Sequence, residues 1–186
     1  MKGNWLKKQN VNWAILTLHG FIEYLKYKWK AKGRHGIHSP FVYAFIEDVL
    51  QDRKKALKEC EHYAGYEWLG THYARLLDHI IVKYNYKNLL LIPPDYERKT
   101  SSLYEMLLFN AAEPGKWINL FNKYSHLFKN DSAVLVFNIH KTREHTSGWE
   151  TLCTHPKVLM SIDLYGVGLL FFKEEFKEKQ HFVLKY

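Results

Sequence analysis

Apolar residues recur at three- and four-residue steps through Val11, Ala14, Ile15, Leu18, Phe21, Ile22, Leu25 and Trp29. That spacing predicts an amphipathic helix over 10–31, which Gly33 and Gly36 end. Ser39-Pro40 reads as a second helix start, with Ser39 as N-cap and Pro40 at the first helical position, where a missing N–H costs nothing. Phe41, Val42, Phe45, Ile46 and Val49 line one face of this helix, predicted over 40–58. Thr71 can cap a third helix bearing Ala74, Leu77, Ile80, Ile81 and Tyr84.

The period then changes. Residues 88–92 and 104–109 are short continuous apolar runs, the first stopped by Pro93-Pro94. Pro114 opens a helix carrying Trp117, Ile118, Phe121, Tyr124 and Phe128, predicted to end near Asn130. A Val-rich run over 133–137 precedes a helix over 144–154, and 158–164, 167–172 and 182–184 read as further strands, with Gly166 and Gly168 supplying a turn. Apolar strands alternating with helices predict an α/β sheet covered on both faces. The strand-rich tail predicts antiparallel strands at one edge. The organisation is a helical region over 1–62, with two or three helices, and an α/β body over 63–186.

Composition adds a location. The net charge is +8 over 186 residues. Residues 1–34 hold eight basic residues and one acid, Glu23, so this arm alone carries +7 and the rest is close to neutral. Lys26, Lys28, Lys30, Lys32 and Arg34 interleave with Tyr24, Tyr27 and Trp29. Phosphates attract lysine and arginine, and aromatic rings stack on unpaired bases, so RNA or a ribonucleoprotein is one partner class. Adsorption on an anionic membrane surface is another. A solvated helix end, where the helix dipole favours cations, is the plain structural reading. Just beyond, Arg34, His35, His38 and Ser39 gather at the start of the second helix. They read either as a capped turn or as an anion site using free backbone N–H groups. Cys60 and Cys153 lack CxxC spacing, and no stretch resembles a signal peptide or a membrane span; the expected compartment is the cytoplasm, or its membrane face.

The core Lys32-Gly33-Arg34-His35-Gly36-Ile37-His38-Ser39-Pro40-Phe41-Val42-Tyr43 resembles the opening of a bacterial group of class I S-adenosylmethionine-dependent methyltransferase-like proteins. These have a basic helical N-terminal region ending in His-Gly-x-His-Ser-Pro-Phe. Residues 132–140, 161–172 and 179–186 are similar to the group's later strands, so the resemblance covers 1–60 and 104–186. It implies an incomplete Rossmann-like methyltransferase sheet, mostly parallel with antiparallel edge strands, behind two or three N-terminal helices.

The cofactor machinery is where the chain departs from that group. A Gly-rich turn should follow the first strand, because only glycine lets backbone come close to the cofactor. Here the strand runs into Pro93-Pro94-Asp95-Tyr96, and no glycine occurs from Thr71 to Pro114. Residues 104–109 look like the group's fourth strand, reached almost directly, so two strand–helix units are missing. Asn110 and Asn138 stand where the group tends to have acids, before His140. Pro93, Pro94, Asp95, Asn110, Asn138 and His140 are therefore vestigial cofactor positions. Pro93-Pro94-Asp95-Tyr96 also has the wrong order for the Asn/Asp-Pro-Pro-Tyr grip of amino-methyltransferases and reads as a strand terminator.

Cys60-x-His62, Cys153-x-His155 and His140…His145 are scattered, with no foursome of zinc-ligand spacing. No P-loop, Gly-x-Ser-x-Gly or His-Glu-x-x-His occurs. The expectation is a degenerate, non-catalytic methyltransferase-like interaction module that needs no cofactor and meets a protein or RNA through its basic arm. A minimal active enzyme using S-adenosylmethionine is the alternative. A shortened sheet should also expose an edge strand that a second copy could cover.

Overall fold

The computed structural model describes residues 18–51, 71–92, 103–109, 113–172, 176 and 178–186. They fall into two compact groups. One holds 34–51 and 71–87; the other holds 18–33 together with the described residues of 88–186. This division differs from the boundary expected at 62/63, because the first helix groups with the sheet.

In the smaller group, Pro40 starts α2 (Pro40–Phe45), which runs into a π-helical turn, Ile46–Leu50. The continuation expected to 58 lies outside the described residues. α3 (Thr71–Tyr84) buries Leu76, Leu77, Ile80 and Ile81. Phe41 stacks on Tyr84 at 5.9 Å, and Lys83 pairs with Asp48, so the C-terminal end of α3 is tied to both α2 and the π-helical turn.

The larger group begins with α1 (Leu18–Lys30) and contains a six-stranded sheet ordered β1-β2-β3-β5-β4-β6. The strands are β1 (Leu89–Ile92), β2 (Tyr104–Phe109), β3 (Phe128–Phe137), β4 (Met160–Asp163), β5 (Val167–Phe171) and β6 (Gln180–Val183). The α/β class and the mostly parallel sheet stand. β1, β2 and β3 are mutually parallel, and β6 runs parallel to β4. The expected antiparallel edge does not. The one antiparallel strand, β5, is interior, between β3 and β4. A tight turn from β4 forces β5 to reverse direction, and its Val167, Leu169, Leu170 and Phe171 are all buried, which an edge strand could not achieve. β1 and β6 form the edges, and among the described residues no strand pairs with the free side of β1.

α4 (Trp117–Tyr124) and α5 (Arg143–Thr154) cover one sheet face. Their Trp117, Phe121, Trp149 and Leu152 join Leu107, Phe109, Val134, Val136 and Leu170 in one apolar cluster. Phe128, expected as a helical residue, instead opens β3; a 3-10 turn, Ser125–Leu127, ends the helix before it. Its ring still reaches the cluster, stacking on Phe172 at 4.8 Å. Gly168 was expected in a turn and lies inside β5, where the Trp149 indole presses against it.

Candidate functional site: a polar cleft under α1

α1 is amphipathic in a way that its sequence stripe does not reveal. The helix docks through Gly20, Tyr24, Tyr27 and Ala31. The Tyr165 hydroxyl donates to the Gly20 carbonyl at 2.8 Å, and the Tyr27 hydroxyl donates to the Leu184 carbonyl at 2.6 Å. Tyr27 also accepts the Tyr186 N–H at 3.1 Å, and burial pushes its phenol up to about 12. Past the helix, Lys32 forms a parallel bridge with Leu184. The apolar stripe faces solvent: Leu18 is 78% exposed, Leu25 52% and Trp29 88%.

Between α1, α5 and the strands β4 and β6 lies a cleft of about 540 Å³. Two of its polar groups come from alternate positions of β4. Ser161 and Asp163 share the face that α5 covers, since strand side chains alternate. Asp163 is tied twice. One carboxylate oxygen accepts the Tyr165 N–H at 2.7 Å, which helps hold Tyr165 in its left-handed turn at φ 68°; the other lies 2.7 Å from His140 Nε2. His140 Nδ1 is 3.2 Å from the Thr146 hydroxyl, which lies 3.3 Å from His19 Nε2 on α1. The His140 ring stacks on Tyr165 at 5.7 Å. This network locks the β4–β5 turn, α5 and α1 together.

Deeper along β4, Ser161 lies 2.7 Å from His181 Nδ1 on the paired position of β6. Desolvation on the cleft side lowers the His181 pKa, with the Asp163 charge opposing. A serine beside an imidazole is half of a hydrolytic arrangement. Among the described residues, however, no carboxylate bonds the His181 ring, as an orienting third member would. Cys153 lines the same cleft, but burial pushes its thiol up to about 12, so it holds no thiolate near neutral pH. Lys26, Lys30 and Lys179 stand around the mouth with Glu23 and Glu150. Lys179 donates to the Thr154 and His155 carbonyls, the last acceptors of α5, at 2.8 and 2.9 Å.

Of the vestigial cofactor positions, Pro93, Pro94, Asp95 and Asn110 lie outside the described residues. Asn138 sits at φ 63° after β3 and donates its N–H to the Gly166 carbonyl at 2.7 Å, so it shapes a turn. His140 is buried and committed to Asp163 and Thr146. It does not share a metal-like position with His145, whose Nδ1 is 2.7 Å from the Thr142 hydroxyl at the α5 N-cap.

The arm residues divide. Lys26 pairs with Glu23 at 2.7 Å, Lys28 lies over the Tyr24 ring at 5.4 Å, and Lys30 and Lys32 are exposed. Arg34, His35, His38 and Ser39 belong to the helical group and are described with it. Ser39 occupies the N-cap without a side-chain cap bond, and α2 is only six residues long. Arg34 turns to its own group, bonding the Tyr43 hydroxyl at 2.6 Å and pairing with Glu47 at 3.1 Å; both partners raise its pKa. The cleft itself was missed, although Ser161 and Asp163 alternating with Ile162 in an apolar strand were a visible signal.

Comparisons with protein families, with curated proteins and with solved structures find no match to this chain.

Proposed function

We propose that the chain is a shortened, non-catalytic methyltransferase-like protein whose α1 serves as a contact surface. The observation that carries this reading is the two-sided use of α1. One side is bonded to the sheet through Tyr27 and Tyr165, while the side bearing Leu18, Leu25 and Trp29 is left to solvent. A helix that served only the core would turn its apolar stripe inward.

The mostly parallel order of the sheet supports the methyltransferase-like part. β1 pairs directly with β2, the strand compared with the group's fourth, across only eleven residues, 93–103. A parallel crossover with its helix needs a dozen or more, so there is no length for the two strand–helix units that would carry the cofactor's ribose. The cleft's groups support the absence of catalysis, since Asp163 and His140 are spent on each other and Cys153 is protonated.

Calorimetric titration of the purified chain with S-adenosylmethionine tests the reading. No heat of binding at millimolar cofactor is expected. Micromolar binding would refute it and support the minimal active enzyme instead.

A further inference from the structure

We infer that α1 is a membrane-surface helix, and that its partner is an anionic lipid interface. The inference builds on the contact-surface part of the proposed function and names the occupant of that surface. It rests on how side chains are distributed around a helix that the fold prevents from rolling.

At 3.6 residues per turn, Leu18, Phe21, Ile22, Leu25 and Trp29 fall within an arc of about 100°. All five are exposed, Trp29 the most. The centre of the opposite arc is Gly20 and Tyr27, both buried. Hydrogen bonds from Tyr165 to Gly20 and from Tyr27 to Leu184 hold that side near both ends of the helix. The stripe therefore cannot be turned inward without breaking buried bonds.

The charges sit on the shoulders of this arc. Lys28 flanks one side and Lys26 and Lys30 the other, all exposed, with Lys32 just past the helix. The acid of α1, Glu23, lies toward the cleft and pairs with Lys26. An apolar centre between two cationic shoulders matches a helix lying in the interface plane, with apolar side chains among acyl chains and lysines at headgroup level. The tryptophan sits where an amphipathic ring is favoured. At 13 residues the helix is about 20 Å long, short of a hydrocarbon core of about 30 Å, so the geometry is adsorption, not crossing.

The same distribution argues against the competing occupants. A nucleic-acid strand wants cations along its track and rings for its bases. Here the centre of the surface is Leu18, Leu25 and Trp29, one ring between two aliphatic side chains, with lysines at the margins. A second copy packed stripe to stripe would bring lysine shoulders together and meet like-charge repulsion. Anionic headgroups complement both shoulders at once.

The test is co-sedimentation of the full chain with vesicles of phosphatidylcholine alone and of phosphatidylcholine with 30% phosphatidylserine. Binding to the anionic vesicles is expected to exceed that to the neutral ones by tenfold or more, and to fall in high salt. At about fivefold per lysine, Lys28→Gln with Lys30→Gln should weaken it by roughly 25-fold. Leu25→Gln with Trp29→Gln should abolish it while leaving the far-UV circular dichroism and thermal midpoint unchanged, because both side chains are exposed. Trp29→Phe should keep sedimentation but reduce the quenching of tryptophan emission by brominated lipid, five other tryptophans remaining. Any of four results would overturn the inference: no binding to anionic vesicles, binding indifferent to Leu25→Gln with Trp29→Gln, a dimer that those substitutions dissociate, or single-stranded RNA binding that needs the lysines and ignores the stripe. Cofactor calorimetry on the same sample separates the two proposals, since micromolar S-adenosylmethionine binding would refute the non-catalytic reading and leave vesicle binding standing.

Discussion

Gly168→Ala is the substitution whose outcome the packing states most sharply. A Cβ added at Gly168 would lie 2.4 Å from Trp149 Cη2, 2.5 Å from Cζ3 and 2.8 Å from Cζ2. Those atoms are the six-membered edge of an indole that is 1% exposed, wedged between α5 and the sheet, so they cannot swing into solvent. Backbone entropy alone would favour alanine over glycine in a strand by about 0.5–1 kcal/mol. Overpacking of this kind costs about 1–3 kcal/mol, and contacts under 3 Å put the cost at the upper end, so the net expectation is a loss of about 2 kcal/mol. With a urea m-value of about 2 kcal/mol/M, the unfolding midpoint should drop by about 1 M. The control is Trp149→Phe, which deletes the offending ring edge. In that background Gly168→Ala should be neutral or slightly stabilising, a coupling of about 2 kcal/mol in a double-mutant cycle. Equal costs in the two backgrounds, or a stabilised single variant, would refute the close-approach account of this glycine.

Three further outcomes follow from the cleft and its walls. Tyr27→Phe removes the donor to Leu184 and the acceptor of Tyr186, and should cost about 1–2 kcal/mol; hydrogen exchange should quicken first at the amide of Tyr186. Asp163→Ala strips both the His140 partner and the acceptor of the Tyr165 N–H, and should cost about 2–3 kcal/mol by urea titration, with Asp163→Asn recovering part of it. Burial, with Lys141 adding to it, lowers the His145 pKa to about 4, so the unfolded chain binds the extra proton. The stabilising effect of keeping this imidazole neutral is present above pH 6.5 and lost as pH falls toward 4. Following the urea midpoint across that window should show a decline that His145→Gln flattens.

The sequence made the element types legible where period and length agreed. The runs at 104–109 and 133–137 became the interior strands β2 and β3, and Thr71 began a helix, because a continuous apolar run or a sustained 3.6 period leaves few alternatives. The order of the sheet was legible only as far as mostly parallel. Whether the hairpin from β4 folds outward or inserts between β3 and β4 depends on which strand most needs two neighbours, and that is a tertiary comparison. The role of Gly168 was hidden for the same reason, since a glycine between Val167 and Leu169 looks like a turn until Trp149 is seen against it. The stripe on α1 was visible in full, but periodicity states that a face is apolar and not what covers it. Its docking face of Gly20, Tyr24, Tyr27 and Ala31 carries little hydrophobic contrast; its hold comes from hydroxyls reaching carbonyls far along the chain. At the helical group, Arg34 was read for its charge, and its partners Tyr43 and Glu47 lie one and two turns into the next helix, where charge counting does not look.

The bond from Tyr27 to Leu184 spans 157 residues, which has a meaning for the order of events on the ribosome. At translation rates of about 5–20 residues per second, α1 leaves the exit tunnel roughly 8–30 s before the strand that anchors it exists. During that interval neither of its faces has a partner within the chain, and the segment is short enough to be only marginally helical in water. Any surface able to hold the stripe could fold the helix first and present Tyr27 and Ala31, already in register, to the sheet that arrives later. The strand made later would then close onto an element that had been waiting for it.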